Sequence, residues 1–319
     1  MLCLLLAVAA SAPGPRYTYH RAYNPFPGVG GVRTNFSGAC GAVLGGAPGT
    51  ARDVVVYGFD MKASFSDEKQ ARYAGQVRVA LGLLRRSVPR ATAVVFAIYP
   101  VGPELRRIYE EANVTIIPIP QFVGWQTANA RILATYQFLL EHKDSIDRVV
   151  FADLRDVLFF NDPFRLITND SIIMAQECFQ TEQCIVLNHH PMHFQWFAQS
   201  FGVMEAYRFK EMEVPLINSG IIMGRAEPMR ALFRELDKHI KPKHKNLWGY
   251  EQSLLNLVVY SGFMDTHHIA LHECDQTVCI TQNGIDFGKK TDQVVLVSNG
   301  CSPVVMHQGI PLSWGFNRE

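Results

Sequence analysis

The sequence predicts an α/β protein with a mostly parallel, Rossmann-type central sheet flanked by helices. Three observations carry this. Continuous apolar runs such as Val54–Phe59 (VVVYGF) recur along the chain, as in strands buried on both faces. Segments of helical spacing alternate with them, an order that implies parallel strands and right-handed crossovers. A chain of 319 residues, 48% of them hydrophobic, is long enough for one large domain or two closely joined lobes.

The chain opens on Leu2–Ala12 (LCLLLAVAASA), an uncharged run ending in the small residues Ala10-Ser11-Ala12. Residues 1–12 therefore read as a signal peptide or as a clipped anchor. Residues 13–50 are rich in Gly, Pro and Ala without periodicity and read as a stem or linker. Residues 51–319 form the folded domain. Val54–Phe59 is its first strand, and Asp67–Ser87 a helix with Val77, Leu81 and Leu84 on one face. Ala93–Tyr99 is the second strand, Pro103–Ala112 a short helix and Val114–Ile117 the third strand. Asn129–His142 is a helix with an apolar stripe of Ile132, Leu133, Tyr136, Leu139 and Leu140, and Arg148–Ala152 is the fourth strand. Ligands of such sheets bind beyond the carboxyl ends of the strands.

Composition narrows the class. The chain carries 30 Lys and Arg against 29 Asp and Glu, a formal net charge of +1. High hydrophobicity with low charge excludes a disordered chain. The missing basic excess argues against nucleic acid as a partner. No apolar run reaches the roughly 18–20 residues of a membrane helix, so membrane contact is expected only through a clipped anchor. Three sequons, at Asn35, Asn113 and Asn169, point to the secretory pathway: the Golgi or endoplasmic reticulum lumen, or secretion. Beyond the leader lie Cys40, Cys178, Cys184, Cys274, Cys279 and Cys301, an even number that suits disulfides. Cys178 with Cys184 and Cys274 with Cys279 are short-loop pairs, and the spacing fits no zinc site.

The sharpest signal follows the fourth strand. The apolar Val149–Ala152 runs into Asp153-Leu154-Arg155-Asp156. Closely spaced carboxylates at a buried strand end need compensation. A divalent cation with oxygen ligands, Mn²⁺ or Mg²⁺, would supply it, and so would a salt-bridge knot through Arg155. Ile217–Gly224 (INSGIIMG) places the polar Asn218 and Ser219 and the small Gly220 in an apolar strand, either facing a ligand or forming a bulge. Leu247–Gln252 (LWGYEQ) places Glu251 at the opening of a helix, where the anion is stabilised, and basicity there would need burial. Val304–Met306 is an apolar strand ending in His307. The run His189–His193 reads more readily as an exposed loop than as a metal site, and His267, His268 and His272 as ordinary polar residues of a strand and loop. Gly-x-Gly-x-x-Gly, Walker and Gly-x-Ser-x-Gly patterns are missing, which argues against dinucleotide oxidoreductases, P-loop NTPases and α/β-hydrolases.

In order and context these segments, from about Val54 to Trp314, resemble the GT-A class of nucleotide-sugar glycosyltransferases. The resemblance implies a GT-A-like fold with a C-terminal acceptor-side part. It makes Asp153-Leu154-Arg155-Asp156 a DxD-type motif whose second carboxylate stands one residue late. It implies Mn²⁺ or Mg²⁺ on Asp153, Asp156 and His307. The donor, a nucleotide-diphosphate sugar, would meet Asp60, Arg131, Asp153, Arg155, Asn218, Ser219 and Gly220, with Gly220 admitting it to the backbone. Trp248 would form an acceptor platform and Trp314 part of a closing flap. Glu251 would be the base of an inverting reaction, or would position substrate in a retaining one. The acceptor would be a hydroxyl of a glycan or glycoprotein. The alternative from another class is a non-catalytic lectin-like or scaffold protein on the same fold, with Arg155 quenching Asp156.

Overall fold

The computed structural model describes residues 17–20, 33–59, 67–179, 183–184, 186, 190–280, 294–295 and 300–307. Residues 1–12, expected as a signal peptide or clipped anchor, and Trp314 lie outside the described residues. In chain order the strands are β1 (Tyr17–His20), β2 (Arg33–Thr34), β3 (Asp53–Phe59), β4 (Thr92–Ala97), β5 (Thr115–Pro118), β6 (Arg148–Asp153), β7 (Val157–Phe159) and β8 (Ile172–Gln176). There follow β9 (Cys178–Phe179), β10 (Gln183–Cys184), β11 (Ile217–Arg225), β12 (Ile269–His272), β13 (Val278–Ile280), β14 (Val294–Val295) and β15 (Val305–His307). The helices are α1 (Asp67–Ser87), α2 (Pro103–Glu111), α3 (Thr127–Glu141), α4 (Pro191–Phe201), α5 (Val203–Glu211), α6 (Ala226–His239), α7 (Tyr250–Val258) and the short α8 (Met264–Thr266).

Eight strands form the central sheet in the order β1-β12-β8-β11-β6-β3-β4-β5. The fold is thus α/β with a mostly parallel sheet flanked by helices. Only β11 runs against its neighbours, antiparallel to both β6 and β8. The continuous apolar runs have their cause in burial on both faces. Val55 and Tyr57 of β3 pack in one layer with Val77, Leu81 and Leu84 of α1 and Leu105 and Ile108 of α2. Their neighbours Val54 and Val56 point the other way, into a layer with Ile132, Met229, Phe233 and Leu254 of α3, α6 and α7. The stripe expected on α3 needs one correction: Leu140 is exposed. Arg131 and Thr135 are buried on that helix instead.

Two small features bear on the site. A three-stranded sheet, β13-β15-β7, stands beside the main one. Its antiparallel register pairs His307 with Val157, the residue after Asp156. The β11–β6 register pairs Ile221 with Ala152, which brings Gly220 beside Asp153. The pairing of β11 with β8 is irregular between Ile217 and Ile222, so Asn218-Ser219-Gly220 sits on a bulge.

The expected stem at 13–50 is corrected in its later part, which belongs to the domain. Cys40 is disulfide-bonded to Cys301, and Cys40 and Leu44 are buried. Arg148 donates to the carbonyls of Ala47 and Pro48 at 2.7 and 2.9 Å while its Nη2 lies 2.6 Å from Asp53. Even a Gly- and Pro-rich stretch is held when a guanidinium anchored on the domain satisfies its carbonyls. β1 also pairs, in parallel, with β12. Cys274 is bonded to Cys279, as the short spacing predicts. Cys178 and Cys184 face each other in the β9–β10 register, and their side chains lie outside the described residues. Two disulfides suit an oxidising compartment. Among the described residues no helix is long and apolar enough to cross a membrane.

Candidate functional site

A cavity of about 450 Å³ opens at the carboxyl ends of the central strands. Asp153 ends β6, Asp156 lies in the turn before β7, and His307 ends β15. One ligand atom from each lies within 4.8 Å of the others. The His307 Nε2 is 3.3 Å from Asp153 Oδ2 and 3.7 Å from Asp156 Oδ1. His307 is buried, and neither ring nitrogen makes a hydrogen bond of good geometry. Burial works against protonation of this imidazole, but Asp153 and Asp156 outweigh it and hold its pKa above the usual value. Two carboxylates and one imidazole that lacks hydrogen bonds are a donor set for a divalent transition ion. The mixed set therefore suits a divalent transition ion better than Mg²⁺, which prefers oxygen alone.

Beneath these three lies Arg131, 3% exposed. Its Nε donates to Glu251 Oε1 at 2.9 Å, and Nη1 lies 2.5 Å from Asp153 Oδ1. Nη1 also donates to the Ala152 carbonyl at 3.2 Å and Nη2 to the Ser219 carbonyl at 3.3 Å. The guanidinium stacks on the Phe151 ring, 4.3 Å from its centroid. Arg131, expected at the nucleotide, lines the cavity while these hydrogen-bond donors serve the protein, and it ties two strand ends to α7. Although burial disfavours the anion, Arg131 and His307 hold the Asp153 carboxyl well below the usual range. Glu251 behaves differently. Burial pushes its carboxyl up to about 7, with Asp153 adding and Arg131 opposing.

The Asn218-Ser219-Gly220 bulge is also turned inward. Asn218 Nδ2 donates to Glu177 Oε2 at 2.6 Å, and Asn218 Oδ1 accepts from the Gly220 N–H at 2.7 Å. The Ser219 hydroxyl lies 3.5 Å from both Glu251 Oε2 and Gln252 Oε1. Gly220 does not leave its space to a ligand as expected: a Cβ there would meet the His307 ring, 2.6 Å from Nδ1. All three residues line the cavity, as do Arg131, Asp153, Arg155, Asp156, Trp248, Glu251 and His307. Asp60 lies outside the described residues. Arg155 is half-buried, its guanidinium over the Tyr73 ring at 5.4 Å.

Sequence reasoning missed Glu177, His193, Trp196 and Gln252, which complete the cavity wall. Gln252 Nε2 donates to Glu177 Oε2 at 3.1 Å and lies 3.4 Å from His193 Nδ1. His193 is buried, contrary to the exposed loop expected for the histidine run. Burial pushes its imidazole down to about 4, Glu177 opposing. A signal was present: Pro191 opens a helix at its first position, and His193 shares a helix face with Phe197. Trp248 is 61% exposed at the rim, and its ring meets Trp196 edge-to-face at 6.4 Å. Gly249 takes a left-handed φ of 76°, and a Cβ there would collide with Trp196, so the turn requires glycine.

Compared with known proteins, the chain matches no protein-family model and no curated protein.

Proposed function

We propose that this protein is a metal-dependent glycosyltransferase. It would move a sugar from a nucleotide-diphosphate sugar to a hydroxyl of a glycan or glycoprotein in the secretory pathway. The observation that carries the reading is the convergence of Asp153, Asp156 and His307 within 4.8 Å at the floor of the cavity. These ligands come from two strand ends and a turn, and the ring of His307 is buried without hydrogen bonds of its own. Their place beyond the carboxyl ends of an α/β sheet is where such folds bind nucleotides.

Asp153, Asp156 and His307 would hold Mn²⁺. When bound, such a cation neutralises the charge that develops on a leaving diphosphate. The chain's own groups do the rest. Glu251 titrates near 7 and is suited to take a proton from an acceptor hydroxyl at neutral pH. Arg131 fixes Glu251 Oε1, which leaves Oε2 toward Ser219. Trp248 and Trp196 give the cavity mouth an apolar wall against which a sugar face can lie.

The test is thermal denaturation with UDP, GDP and CMP, each with and without Mn²⁺. A ligand at a hundredfold excess over Kd raises stability by about 2.7 kcal/mol. One nucleotide is expected to shift the transition only with Mn²⁺, and Asp156→Asn to abolish the shift. No shift under any condition would remove the nucleotide reading and leave the lectin-like or scaffold alternative.

A further inference from the structure

The cavity is lined by four carboxylates, Asp153, Asp156, Glu177 and Glu251, against two guanidinium groups, Arg131 and Arg155. The positive charge is unevenly placed. Arg131 is buried with its donors committed to Glu251, Ala152, Asp153 and Ser219. Arg155 follows β6 and leans on Tyr73 of α1. Glu177 follows β8, and β11 stands between β8 and β6. Two strand spacings, about 9.5 Å, therefore separate the strand leading to Glu177 from the strand leading to Arg155. At the Glu177 end the polar wall is a carboxylate, two amides and an imidazole.

Resting on the nucleotide-sugar reading, we propose that Glu177 is a specificity determinant that selects an uncharged sugar ring and rejects one bearing a carboxylate. Glu177 is buried, and its Oε2 accepts from both Asn218 Nδ2 and Gln252 Nε2, so its position is fixed. Sugar hydroxyls entering there find carboxylate acceptors, which make the stronger class of hydrogen bond. A uronate or sialate carboxylate entering there finds Glu177 and Glu251 and, among the described residues, no Lys or Arg with donors left for it, the proposed Mn²⁺ being held at the Asp153 end; charge without a counter-ion is costly in a closed site. His193 supplies none, because burial keeps its imidazole neutral at physiological pH. The tryptophan wall adds only an apolar face.

The experiment is isothermal titration of the whole chain with Mn²⁺. It compares UDP-glucose with UDP-glucuronic acid, or GDP-mannose with GDP-mannuronic acid if guanosine nucleotides are the ones bound. Bare UDP and GDP run alongside. The neutral sugar nucleotide is expected to bind at least tenfold more tightly than its uronate. In Glu177→Gln, which keeps an acceptor oxygen but loses the charge, the ratio is expected to fall below threefold. Equal wild-type affinities overturn the inference, whether or not the variant folds. A wild-type preference that Glu177→Gln leaves unchanged overturns the role of Glu177. Bare nucleotides that bind while both sugar nucleotides fail also overturn it, with the nucleotide reading intact. Failure of bare nucleotide as well removes that reading and this inference together.

Discussion

The imidazole of His307 fills the volume that a Cβ on Gly220 would occupy, so these two residues on different sheets are a single packing unit. The contact explains why β11 carries a glycine beside Asp153. Gly220→Ala is expected to push the ring off the two carboxylates. Overpacking of this kind costs about 1–3 kcal/mol, and the Mn²⁺-dependent nucleotide shift should disappear with it. Adding His307→Ala should recover stability but not the Mn²⁺ response. Equal losses of stability in Gly220→Ala with and without His307→Ala, measured by urea denaturation, would show that the two do not share that space.

Arg131 is the only guanidinium buried between Asp153 and Glu251 among the described residues, and removing it leaves the buried Glu251 without its counter-ion. Loss of one partner from a buried charge pair costs about 3–5 kcal/mol. Arg131→Met should lose that much in denaturant unfolding. In a Glu251→Gln background the same substitution should cost less, because one of the two carboxylates it served is already neutral. Additive losses would mean that Arg131 and Glu251 are not coupled as their 2.9 Å contact requires.

Much of this was legible before the structure. The strands around Val54, Ala93 and Arg148 announce themselves because burial on both faces leaves uninterrupted apolar runs. Asp153, Asp156 and His307 stand out because carboxylates and a histidine end such runs. The direction of β11 was not legible, since Ile217–Arg225 reads the same whichever way it runs. Glu177, His193 and Gln252 meet only through long-range packing, and no local spacing joins them. The amphipathic α6 carries its own helical signal, with Met229, Leu232, Phe233 and Leu236 on one face. A sequence shows the charge of Arg131 but not that Glu251, Asp153 and two carbonyls meet it inside the fold.

His193 makes stability depend on pH in a predictable sense. Its folded pKa of about 4 lies below the ordinary 6.5. A depressed value means the neutral form is favoured by folding. That contribution is present above pH 6.5 and is lost as pH falls from 6.5 toward 4, because the unfolded chain takes up the proton first. The loss is on the order of 3–4 kcal/mol at about 1.4 kcal/mol per pH unit. Chemical denaturation at a series of pH values should show a slope over this window that His193→Gln flattens. An unchanged slope would place the imidazole in solvent.

The two disulfides should differ in weight because they close loops of different length. Cys40 and Cys301 are 261 residues apart, Cys274 and Cys279 only 5. Loop-closure entropy gives roughly 5–6 kcal/mol for the first and about 2 kcal/mol for the second. The long-range bond also sits in a clasp. Asn35 N–H donates to Ser302 Oγ at 2.6 Å, and Gln276 Nε2 donates to the Cys40 carbonyl at 3.0 Å. The Val304 N–H donates to the Gln276 carbonyl at 2.7 Å, which carries the clasp into the strand that ends in His307. Cys40→Ser with Cys301→Ser should therefore lower the melting temperature more than Cys274→Ser with Cys279→Ser. It should also weaken the Mn²⁺ response, since His307 hangs from the released segment. If the short-loop pair proves the more costly, or the Mn²⁺ response survives loss of Cys40–Cys301 unchanged, the clasp does not hold the histidine in place.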